Sequence, residues 1–129
     1  MKDPIGILLY GYNRKDALRI KTTLDHALED DLFIISGSGK ESWLVADILD
    51  KGPEDFYQEE EQKIIMFLGF NESQVNATLK DFPSPEVTRP IFCGLTVKNI
   101  QWTMACLIDH LREEHRQFTR QTPQPEGEA

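Results

Sequence analysis

The residues best placed to do chemistry are short polar and basic side chains set just after apolar runs, where backbone N–H groups and helix N-termini gather anions. Ser36-Gly37-Ser38-Gly39-Lys40 is the most suggestive stretch. A phosphate loop needs a glycine five positions ahead of its Gly-Lys pair and a hydroxyl residue directly after it, and here Ile34 and Glu41 stand in those places. The turn therefore reads as a Ser-x-x-Glu capping box between Ser38 and Glu41, and tight binding of nucleoside triphosphates is not expected.

Asn13 and Asn71 stand in equivalent turns, with Asp16 and Gln74 three residues on, and Thr96 precedes the last helix; all three read as caps. Asn99 falls in that helix's first turn, where its amide either closes the turn or faces a ligand. Trp43 and Trp102 are read in first helical turns, packed on the sheet ends. His110 and His115 lie five apart, about 140° out of line on a helix, so they do not ligate one metal as an i, i+4 pair would. Cys93 and Cys106 sit in apolar segments without a CxxC spacing, as reduced, buried thiols do. No catalytic residue, metal site or cofactor is expected. A ligand-binding set, if the chain has one, is Asn13, Lys40, Thr96, Lys98, Asn99 and Trp102, because ligands of open α/β sheets collect beyond the carboxyl ends of strands. The lysines there favour a small anion.

A regular alternation of elements must position these residues. Ile5 to Tyr10 is a continuous apolar run, as in a strand covered on both faces, and Gly11 ends it. Ala17, Ile20, Leu24, Ala27 and Leu28 then recur at helical spacing, which predicts a helix over 14–29. Leu32 to Ile35 is a second strand, followed by a helix carrying Trp43, Leu44, Ile48 and Leu49 and stopped by Gly52-Pro53. After an acidic connector from Glu54 to Gln62 come a strand at Ile64–Leu68, a helix with the stripe Val75, Leu79 and Phe82, a strand at Ile91–Leu95 opened by Pro90, and a long last helix from Asn99 to Phe118.

The halves match each other. Gly11-Tyr12-Asn13 falls on Gly69-Phe70-Asn71, 58 positions on, and the same offset takes Ser38 to Thr96 and Lys40 to Lys98. One inserted residue later Trp43 falls on Trp102 and Ile48-Leu49-Asp50 on Leu107-Ile108-Asp109. The expected fold is α/β: two tandem β-α-β-α units, over 5–52 and 63–111, forming one layered domain over 1–118. Its four-stranded sheet is expected to be mostly parallel, with the first and third strands central. Residues 119–129 read as a disordered tail.

The second half, with Leu95-Thr96-x-x-Asn99-x-x-Trp102, then Leu107, and Glu114-His115 near the helix end, resembles the bacterial family called domain of unknown function 3783. The resemblance covers Lys63 to Phe118. It implies a small bacterial protein and carries no reaction with it. The first half holds a degenerate echo of the motif, with Glu41 where the second half has Asn99.

Twenty-two acidic residues against 14 basic ones give a net charge of -8, which sets the surface against nucleic acid and anionic membranes. No apolar run reaches the roughly 20 residues of a membrane span, and no signal peptide is read at the start, so the cytoplasm is the expected location. The expected function is a regulatory or protein-interaction module without catalytic activity; the alternative is a binder of a small anion, or an enzyme, at the strand ends. A last helix of about 30 Å overhangs strands of about 20 Å, so Leu111, His115 and Phe118 are expected to pack in a homodimer or on another protein.

Overall fold

The computed structural model describes residues 4–121, with side chains through residue 116. Its elements follow in the order β1 (Gly6–Tyr10), α1 (Arg14–Leu28), β2 (Phe33–Ser36), α2 (Val45–Lys51), β3 (Ile64–Leu68), α3 (Glu72–Asp81), β4 (Ile91–Gly94), a 3-10 turn at Asn99–Gln101 and α4 (Met104–Gln121). The strands form one sheet ordered β2-β1-β3-β4, so the first and third strands are central, as expected.

The sheet is mixed rather than mostly parallel. β1 pairs parallel with β2 and β3 parallel with β4, but β1 and β3 run antiparallel, with Leu8 opposite Met66. The reason lies in the length of α2. Seven residues of helix advance only about 10 Å, too little to return the chain to the amino ends of the strands for a parallel crossover. The chain therefore crosses the carboxyl ends of β1 and β2 through residues 53–62 and enters β3 from that side.

Every residue of β1 and β3 is buried, since helices cover both faces. Ile7, Leu9, Ile65 and Phe67 pack beneath α1, whose Ala17, Ile20 and Leu24 are buried, and beneath Phe82 at the end of α3. Val75 and Phe82 of the expected stripe pack into this core, but between them the buried residue is Thr78, while Leu79 is exposed. On the other face Leu8, Ile35, Ile64 and Met66 meet Val45 and Ile48 of α2 and Met104, Leu107 and Ile108 of α4.

α2 and α4 both start later than their apolar residues suggested. Trp43-Leu44 and Trp102-Thr103 are not helical: they run antiparallel across this face, with the Val45 N–H donating to the Trp102 carbonyl and the Met104 N–H to the Trp43 carbonyl, each at 2.8 Å. The Thr103 hydroxyl accepts from the Cys106 N–H at 3.1 Å and caps α4, the role expected of Thr96. At its far end α4 continues through Gln121, so residues 119–121, expected in the tail, are helical; 122–129 lie outside the described residues.

Candidate functional site

Antiparallel pairing of β1 with β3 sends the carboxyl ends of the two strand pairs to opposite ends of the sheet. The six candidate ligand residues are divided accordingly. Asn13 and Lys40 follow β1 and β2 at one end, Thr96, Lys98 and Asn99 follow β4 at the other, and Trp102 begins the extended segment ahead of α4.

At the β1–β2 end the acidic connector is a strap laid over the loops. Its backbone donates from the Gln58 N–H to the Ser38 hydroxyl at 3.1 Å and from the Glu60 N–H to the Gly11 carbonyl at 3.0 Å, and the Phe56 carbonyl accepts from the Ser36 hydroxyl. Its carboxylates take the polar side chains. Glu54 lies 2.6 Å from Lys40, Asp55 lies 3.0 Å from Arg14, and Glu59 accepts from the Asn13 amide at 2.7 Å. Lys40 is only 6% exposed, and the hydrogen bond it gives holds the Glu54 carboxyl below its ordinary range. Asn13 also caps α1 by accepting from the Asp16 N–H at 2.9 Å.

The expected box between Ser38 and Glu41 does not form. Ser38 is occupied by the strap, and Glu41 instead accepts from the Tyr10 hydroxyl at 2.7 Å, which, after burial itself, pushes the Tyr10 phenol upward. Tyr10 lines a polar cleft of about 450 Å³ with Glu60, Glu61, Gln62, Ile108 and Arg112. These residues escaped the sequence reading because only the return of the strap brings them to α4.

At the β3–β4 end, Asn99 is 8% exposed and its amide is committed to its own turn. Its Oδ1 accepts from the Thr96 N–H and its N–H donates to the Thr96 hydroxyl, both at 2.9 Å, while Nδ2 donates to the Gly94 carbonyl at 3.0 Å. That closes the 3-10 turn, whereas Lys98 and Thr96 face solvent. The Trp102 ring stacks on His110, with centroids 4.1 Å apart and an interplanar angle of 17°. The Leu-Thr-x-x-Asn-x-x-Trp motif thus describes how this loop folds and how it delivers the chain to α4.

Both cysteines are free and half-buried, more open than the sequence suggested, and burial pushes the Cys93 thiol up to about 12, far from the thiolate a nucleophile needs. Among the described residues no group of three His, Cys, Asp or Glu side chains is arranged to hold a metal ion, and no helix is long and apolar enough to cross a membrane. On α4, Leu111 is half-buried and His115 exposed; the Phe118 side chain lies outside those described.

Residues 63–118 match the family model described as domain of unknown function (DUF3783), a stretch that begins at the residue before β3 and takes in α3, β4 and most of α4. No curated protein and no solved structure matches the chain.

Proposed function

We propose that this chain is a non-catalytic regulatory or protein-interaction module of the bacterial cytoplasm, built from two tandem β-α-β-α units. The observation that carries the reading is the strap: Glu54, Asp55 and Glu59 of the chain itself take up Lys40, Arg14 and Asn13, the side chains best suited to hold an anionic substrate. The placement of Thr96, Lys98 and Asn99 at the far end of the sheet supports it as well.

The tandem arrangement is supported by register. Gly6 pairs with Phe33 in one half and Ile64 with Ile91 in the other, both members shifted by 58. Gly11 and Gly69 share a positive φ, Asn13 and Asn71 cap the helices that follow, and the bonds flanking Leu44 and Thr103 are reciprocal.

The module self-associates through the far part of α4. Residues 112–116 are exposed beyond half-buried Leu111, and the helix runs on to Gln121, about 15 Å past Leu111. Light scattering after size exclusion tests this: a dimer is expected for the natural chain and a monomer for Phe118→Glu. A monomeric natural chain, or a dimer indifferent to the substitution, removes this helix as the interface.

The second reading, a site for a small anion, is favoured by the buried Lys40, which lines one pocket with Ser38 and Gly39. Such a ligand has to displace Glu54, so calorimetric binding of inorganic phosphate that Lys40→Ala abolishes would support it.

A further inference from the structure

The two ends of the sheet are built alike and covered differently. At the β1–β2 end, Gly11, Ser36, Gly37, Ser38 and Lys40 are buried under the strap. Shifted by 58, the same positions are Gly69, Gly94, Leu95, Thr96 and Lys98, and every one of them is exposed. The backbone at the first turn is equivalent, since a side-chain carbon on Gly11 would strike the Gln62 carbonyl and one on Gly69 would come 3.2 Å from the carbonyl of Pro4, again 58 apart, while at the second turn Gly39 has a positive φ that Val97 does not share. The surface on offer differs as well. Where the strap rests on Gly39, the β3–β4 loop presents Val97, 88% exposed, beside Leu95 at 38%. Two such apolar side chains thus stand uncovered at the tip of a turn, next to a lysine.

The strap supplies the template for what fits there. Its Glu54 pairs with Lys40, and Lys98 stands at the shifted position with no ion-pair partner among the described residues. Its Asp55 pairs with Arg14, whose shifted counterpart is Glu72, so the charge required there is reversed. Its Glu59 accepts from the Asn13 Nδ2; Asn71 uses Oδ1 to cap α3 and keeps Nδ2 unpaired among the described residues.

We propose that the β3–β4 end, formed by Asn71, Glu72, Leu95, Val97 and Lys98, docks an extended segment of a partner protein that carries an acid followed by a base and then an apolar side chain. The acid meets Lys98, the base meets Glu72, and the apolar group covers Val97 and Leu95. This rests on the interaction-module reading and names a surface for it away from the end of α4. A failed titration here leaves the light-scattering result untouched, and a monomer there leaves this surface untouched.

The test uses the full chain labelled with nitrogen-15 and two synthetic peptides. One has the strap sequence Gly-Pro-Glu-Asp-Phe-Tyr-Gln-Glu-Glu-Glu-Gln; the other is identical except that the aspartate is replaced by lysine. The lysine peptide is expected to shift the amides of residues 71–72 and 95–99 and to bind about fivefold tighter than the strap sequence, the effect of turning one exposed repulsion into an attraction. Val97→Asp and Lys98→Glu, both at exposed positions, are each expected to weaken binding of the lysine peptide by about fivefold or more while the remaining spectrum stays in place. Equal affinity for the two peptides, shifts confined to residues 11–14 and 36–40, or no shift at millimolar peptide would each overturn the proposal.

Discussion

Asn99 uses both ends of its side-chain amide and its own N–H to hold the loop from Gly94 to Trp102, and it does so while nearly buried. Removing such a side chain breaks its bonds to the Thr96 N–H and the Gly94 carbonyl, both on exposed residues that water can reach, a cost of about 1 kcal/mol. Asn99→Ala is therefore expected to lower stability by about that amount, and Thr96→Val by less, since the amide bonds survive; the shift of the urea midpoint measures both. The sequence reading took Thr96 as the cap of the last helix and Asn99 as a residue of its first turn, and a role for Asn99 in closing that turn was one of the two readings the residues left open. The bond to Gly94 was not legible, because it depends on where β4 stops. The same limit applies at Lys40. Nothing near it in sequence announces a partner, and Glu54 reaches it only after α2 has turned the chain back.

At the scale of elements, the acidic connector is the part that sequence reasoning valued least. It has no apolar period, so it reads as a solvated link, yet four hydrogen bonds to its backbone and three of its carboxylates tie it to the β1–β2 end. Its docking depends on acid in a definite direction. The hydrogen bond from Lys40 lowers the Glu54 pKa below its ordinary 4.5, so the docked strap binds fewer protons than a free one. The contribution is complete above about pH 4.5 and is lost as the pH falls through the lowered value. Hydrogen exchange at the Gln58 and Glu60 amides, corrected for intrinsic rates, should show protection near pH 6 that falls as the pH is taken progressively below 4.5. In Lys40→Met the protection should be low throughout, so an unchanged acid step in that variant would remove Glu54 as its cause. The late starts of α2 and α4 have a related origin. Trp43-Leu44 and Trp102-Thr103 carry side chains that suit a helix or an extended segment equally, and the choice is made by the pairing of each with the other.

For the whole molecule, the four strands, their helices and the central place of β1 and β3 were all legible from apolar runs and from the offset of 58, because burial on both faces and a repeated turn leave local marks. Strand direction leaves none. Whether β3 runs with β1 or against it depends on the reach of α2 and the path of the strap, and a parallel sheet would have gathered at one end the loops that the antiparallel centre holds apart. The same centre makes the halves depend on each other. β1 and β3 share five residue pairs, Leu8 and Met66 are fully buried at their middle, and across the second face the Val45 N–H donates to the Trp102 carbonyl and the Met104 N–H to the Trp43 carbonyl. Neither half can open without exposing the apolar strand of the other, so unfolding is expected to be a single transition. Each half holds one tryptophan, Trp43 or Trp102, so Trp102→Phe leaves a reporter in the first half and Trp43→Phe leaves one in the second. Within each variant, the urea midpoint from fluorescence should coincide with the midpoint from far-ultraviolet ellipticity, which averages both halves. A fluorescence midpoint displaced from the ellipticity midpoint in opposite directions in the two variants would mean that the halves unfold separately, and that β1 and β3 couple them far less than their burial requires.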